Sequence, residues 1–258
     1  MSRELTPVGD FLALTQSRGA GGSFTTGHQW VDLEGGGFGV VYLRRIGIDY
    51  TWLMFERFDA NQMLIGEPTR IDESRSVYGV SSQSVAIDLD GDLLVSWSDE
   101  FGVYGRYVNS NGTLESDVFE IFVPSDAPKI KVGLDIAFNA SGNLIVTWQD
   151  YRNRTDDPTR IQIQVFDPNG VPIAAAEDVY SREEGVARLD LVQLDTGAMV
   201  ITWREYYRAE NGAWEIAIMG QSYAPDGTAS GDVFVLDTEP SNLFVEPNRS
   251  VTALPDGK

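Results

Sequence analysis

Two aspartates, Asp135 and Asp190, hold the same place in successive copies of a repeated segment, each seven residues ahead of a glycine, Gly142 and Gly197. Gln29, Ser84 and Ser250 fill that place in the other copies, ahead of Gly36, Gly91 and Gly257. All five are polar, while the next two positions are nearly all apolar: Trp30, Val85, Ile136, Leu191 and Val251, then Val31, Ala86, Ala137, Val192 and Thr252. If the copies stand around an axis, this column rings the mouth of a central channel. Asp135 and Asp190, from neighbouring copies, could there share a cation or a proton, or bind sugar hydroxyls. Glycoside hydrolysis needs two carboxylates about 5–10 Å apart, one with its pKa raised by its surroundings. The plainer reading is that polar residues begin strands at a solvated mouth.

Other residues offer less chemistry. Asp88, Asp90 and Asp92 alternate as in calcium loops, where oxygen ligands converge on a hard cation if the backbone curls. Asp90-Gly91, however, fills the turn position taken by Ser141-Gly142 and Thr196-Gly197, which favours an ordinary turn. Calcium is therefore a weak expectation and no other cofactor is expected. His28 is the only histidine, which excludes a multi-histidine metal site, and no Gly-x-Ser-x-Gly elbow is present to seat a nucleophile. Trp52, Trp214, Tyr206 and Tyr207 fall in longer, variable segments and could stack on sugar rings or pack over the outer sheet. Tyr151 to Pro158 is polar and reads as a long hairpin loop.

The elements that position these residues follow from the repeat. The five glycines are spaced by 55, 51, 55 and 60 residues, and an aromatic follows four of them by six residues: Tyr42, Trp97, Trp148 and Trp203. A period of roughly 40–60 residues with strand-like content predicts a blade architecture. Each copy has a second turn, as in Asn109-Ser110-Asn111-Gly112 and Ala224-Pro225-Asp226-Gly227, of the kind that supplies positive φ to hairpins. No segment sustains a helical period, and Ile173–Asp178, despite its alanines, falls where a fourth strand belongs. The fold class expected is all-β: a β-propeller of four-stranded antiparallel blades at approximately 28–79, 80–131, 132–185 and 186–247. Partial blades are expected at 1–27 and 248–258. Pro7–Thr15 matches Ser230–Thr238, a fourth strand, so the chain reads as part of a longer repeat protein or a ring with loose ends. The repeated tryptophans are expected in the core between blades.

Composition sets outer limits. With 42% hydrophobic residues over 258, the chain can bury a sizeable core, and no stretch approaches the ~20 apolar residues of a membrane span. Met1–Pro7 lacks the apolar core of a signal peptide. A net charge of −20 argues against nucleic acid and anionic membranes as partners.

The phrase Val85–Trp97, with the turn at Asn111-Gly112, resembles β-propeller repeats of large bacterial secreted and cell-surface proteins, and its layout is similar to NHL and YVTN-type propellers. That resemblance implies an extracellular binding or scaffold module, non-catalytic, taking a glycan or protein on a propeller face. The alternative is a carbohydrate-active propeller enzyme using Asp135 and Asp190.

Overall fold

The computed structural model describes residues 25–33, 36–46, 50–72, 80, 82–122, 131–151, 159–167, 170–182, 186–194, 196–209 and 212–240. These residues form sixteen strands in four four-stranded antiparallel sheets, and no helix occurs among them. The sheets take the strands in chain order. The first holds β1 (Thr25–Leu33), β2 (Gly37–Ile46), β3 (Tyr50–Phe58) and β4 (Thr69–Arg70), and the second β5 (Ser82–Ile87), β6 (Leu93–Ser98), β7 (Val103–Val108) and β8 (Phe119–Phe122). The third holds β9 (Lys131–Phe138), β10 (Leu144–Tyr151), β11 (Thr159–Phe166) and β12 (Glu177–Arg182). The fourth holds β13 (Val186–Gln193), β14 (Met199–Arg208), β15 (Trp214–Tyr223) and β16 (Ala229–Pro240). The all-β blade architecture read from the repeat is therefore the fold. Of the segments expected as partial blades, 1–24 and 248–258, with Ser250 among them, lie outside the described residues, and Thr25–Gly27 open β1 of the first complete sheet.

The first hairpins of the second and third blades turn for a local reason. Gly91 and Gly142 sit at φ of +87° and +77°, which a residue without Cβ adopts freely. Before them, one carboxylate oxygen of Asp88 accepts the amides of Asp90 and Asp92, and the Asn139 side chain likewise accepts those of Ser141 and Asn143. The polar residue thus supplies the acceptors that the turn backbone would otherwise lack.

Successive sheets bury one another. Trp97 lies among Val31, Val41 and Phe55 of the first sheet, Trp148 beside Leu94, Val103 and Ile121 of the second, and Trp203 beside Ala137, Ile145 and Ile161 of the third. Tyr42 takes the same role on the other face of the first sheet, with Val40 and Met54. All four aromatics are at most 1% exposed. Their six-residue spacing from the turn glycine is thus a packing rule: the position always faces the preceding side of its sheet.

Two sequence readings are corrected. Ile173–Asp178 is not a strand throughout; β12 begins only at Glu177, and Ile173 stands 56% exposed after an isolated bridge between Phe166 and Pro172. Trp52, Tyr206, Tyr207 and Trp214 do not occupy loops. They belong to β3, β14 and β15, whose ladders run on to Arg44↔Trp52 and Arg208↔Trp214. Strand pairing satisfies their backbone, so extending the hairpin costs less than a free loop.

Candidate functional site

The innermost strands β1, β5, β9 and β13 adjoin in chain order. The polar column falls within each strand and not at its start, paired as Gln29↔Val41, Ser84↔Ser96, Asp135↔Thr147 and Asp190↔Thr202. Ser84 and Asp135 each bond to the following sheet, and the four positions are used differently.

Ser84 is 1% exposed and donates its hydroxyl to Asp135 at 2.5 Å. The same carboxylate oxygen accepts the amide of Ile136 at 2.9 Å, and the other oxygen accepts the amide of Leu191 at 2.7 Å. One side chain thereby ties β5, β9 and β13 together. Burial pushes the Asp135 carboxyl up to about 6, against the three donors, and the Asp190 charge adds to the rise.

Asp190 is the contrasting case. Its carboxylate accepts no hydrogen bond from a described residue, and it remains partly exposed. Burial raises its pKa, opposed by the charges of Arg188 and Arg204. The Asp190 charge thus acts on Asp135, whose two oxygens are both taken up by the frame. In the first sheet the Gln29 side-chain oxygen is buried without a partner.

The strands around the column rise unequally. Beyond the column pair, β14 continues six residues, from Thr202 to Arg208, whereas β6 continues two, from Ser96 to Ser98. At about 3.4 Å per residue the β14–β15 hairpin reaches some 20 Å past Asp190. Its tip carries Arg208 over the Trp214 ring at 5.1 Å and a 2.6 Å hydrogen bond from Tyr207 to Glu215. Trp52 on β3 is similarly faced by Arg70 at 4.5 Å.

Asp88, Asp90 and Asp92 lie at the opposite end of the strands, in the β5–β6 turn. Asp88 spends an oxygen on that turn, and burial together with the charges of Glu115, Asp88 and Asp90 raises the Asp92 pKa. Among the described residues no group of three or more histidines or carboxylates is arranged to hold a metal ion. Arg188, Arg204 and a buried Tyr42–Glu56 hydrogen bond of 2.6 Å were not foreseen from the residue pattern. Arg188 and Arg204 matter only through strand register, which no local pattern announces.

No family model matches this chain, and no curated protein matches it in sequence. Solved structures do match in fold. An α-L-arabinanase of Penicillium chrysogenum, solved with arabinobiose, superposes with a TM-score of 0.64 at 12% identity, over 91% of this chain and 68% of its own. The GH93 α-L-arabinofuranosidase of Fusarium graminearum gives 0.57 at 10%, over 81% and 65%, and an exo-1,5-α-L-arabinanase from a bovine ruminal metagenomic library 0.51 at 17%, over 80% and 78%. These matches establish the propeller fold and do not support the NHL or YVTN-type resemblance. They also overturn the expectation of a non-catalytic binding or scaffold module, since these three fold neighbours are carbohydrate-active enzymes.

Proposed function

We propose that this chain is a carbohydrate-active propeller that binds and cleaves, or transfers, a glycosidic bond at the mouth ringed by the polar column. The observation that carries the reading is the pairing of Asp135 and Asp190 on adjacent inner strands, both with raised pKa values, in a fold shared with glycan-acting enzymes. Asp190 is the carboxylate that meets the sugar, because its oxygens are not taken up by the frame. Asp135 positions it: the bond to the Leu191 amide fixes β13 one residue beyond Asp190. Burial also raises the Asp190 carboxyl above its ordinary value, the direction that acid–base work on a glycoside requires. The projecting Trp214 and Trp52 would flank a chain-like substrate with ring faces. Such substrates are met outside the cell, so a secreted or cell-surface location goes with this reading, and no helix of the described residues is long and apolar enough to cross a membrane.

The test is release of reducing sugar from linear arabinan, levan and a sialylated oligosaccharide, measured for the unsubstituted chain and for Asp190→Asn. Activity on one of these, lost by at least about 100-fold in the variant, is expected for a removed catalytic acid or base. Activity untouched by the substitution, or none on any substrate together with no binding by calorimetry, would remove the proposal.

A further inference from the structure

Blades do not approach the column in the same way. In the second and third sheets the ladder is continuous, from Ser82↔Ser98 to Ser84↔Ser96 and from Lys131↔Tyr151 to Asp135↔Thr147. In the first and fourth it slips. Thr26↔Leu43 is followed by Gln29↔Val41, and Ala187↔Arg204 by Asp190↔Thr202, so that each inner strand carries one residue more than its partner. These are β-bulges, which re-aim side chains and recur beside active sites. The two bulged strands are also those whose column residues, Gln29 and Asp190, are not built into the cross-blade bonds that occupy Ser84 and Asp135.

The bulge in β13 holds Arg188 at φ +52°, in the left-handed region that an L side chain enters only at a cost. Register gives the corresponding place in β1 to Gly27, the residue type that meets this geometry without strain. If the bulge served the frame alone, glycine would be the better residue in both strands. Arginine at 188 is exposed and its charge acts on Asp190, whereas Arg204, which also acts on Asp190, is buried at 4% exposure. A guanidinium that donates, beside a carboxylate that accepts, is matched to adjacent hydroxyls of one sugar ring.

We propose that Arg188 is a sugar-contacting residue, forming with Asp190 a donor–acceptor pair for the vicinal hydroxyls of a glycan unit at the channel mouth. The inference rests on the carbohydrate reading and adds to it the contacting residue. Its test is Arg188→Gly in the full chain, followed by thermal unfolding and by titration calorimetry with arabinobiose, longer arabinan oligosaccharides and levan oligosaccharides. Relief of strain raises the melting temperature by about 2–4 °C, while affinity for the sugar bound by the unsubstituted chain falls by about tenfold or more, as loss of charged hydrogen bonds entails. Arg188→Asn, which also tolerates the left-handed region, repeats the test should glycine loosen the strand. A lower melting temperature in both variants makes Arg188 a structural residue and overturns the proposal, as does unchanged affinity. An unsubstituted chain that binds none of these sugars refutes the carbohydrate reading as well, whereas one that binds them as tightly after substitution refutes only the role of Arg188.

Discussion

Replacing Asp135 by asparagine tests the centre of the frame through its pH dependence. The carboxyl stands near 6 in the folded chain against an ordinary 3.8, a rise of roughly 2 units, worth about 3 kcal/mol in all at 1.36 kcal/mol per unit. Because the folded state holds the proton more tightly, this stabilisation is fully present below pH 4 and is lost as pH rises through 6. Between pH 7 and pH 5 only the folded-state carboxyl titrates appreciably, and it takes up close to one unit, or about 1 kcal/mol. Asparagine keeps the shape and one acceptor but cannot titrate. It forfeits one of the bonds to Ser84, Ile136 and Leu191, a loss that shifts stability equally at both pH values. Urea unfolding of both proteins at pH 7 and pH 5 is the assay. The stability of the unsubstituted chain minus that of the variant should grow by about 1 kcal/mol on going to pH 5. Asp190 and Glu56, also raised by burial, titrate in both proteins and cancel to first order. A difference that stays flat, or shrinks, would mean that the three donors outweigh burial and keep Asp135 ionised.

Two further outcomes are expected. Trp148→Ala, at a fully buried position between the second and third sheets, should cost about 3–5 kcal/mol by denaturant unfolding, the range for deleting a large core aromatic; a loss under about 1 kcal/mol would place the ring outside the load of the core. The melting temperature in calcium should equal that in chelator, because Asp88 is committed to its turn; a calcium-dependent rise abolished by Asp90→Asn would assign a cation there after all.

The repeat made the strands, turns and buried aromatics readable, because each is a local event: Asp88 and Gly91 define their turn within a few residues, and Trp97 is placed by counting from it. The polar column was readable for the same reason. What it does was not, since that depends on the neighbouring sheet. Nothing around Asp135 says that Leu191, fifty-six residues on, will offer it an amide. The bulge at Arg188 was hidden more deeply still. It arises from a mismatch of one residue between β13 and β14, and a slip of register leaves no signature in composition. The length of β14–β15 was not readable, because a longer, variable segment does not show whether the ladder continues through Tyr206, Tyr207 and Trp214.

The inequality of the hairpins bears on how such a molecule can change. The column and its bonds to Ser84, Ile136 and Leu191 sit deep in the inner strands, while the β14–β15 tip stands well clear of them, held by its own ladder and by β16 alongside it as far as Glu215. Residues at that tip can therefore be exchanged, lengthened or lost without disturbing the register that sets Asp190. The part that would read a ligand's outline is mechanically separate from the part that holds the carboxylates, so selection can revise one while conserving the other.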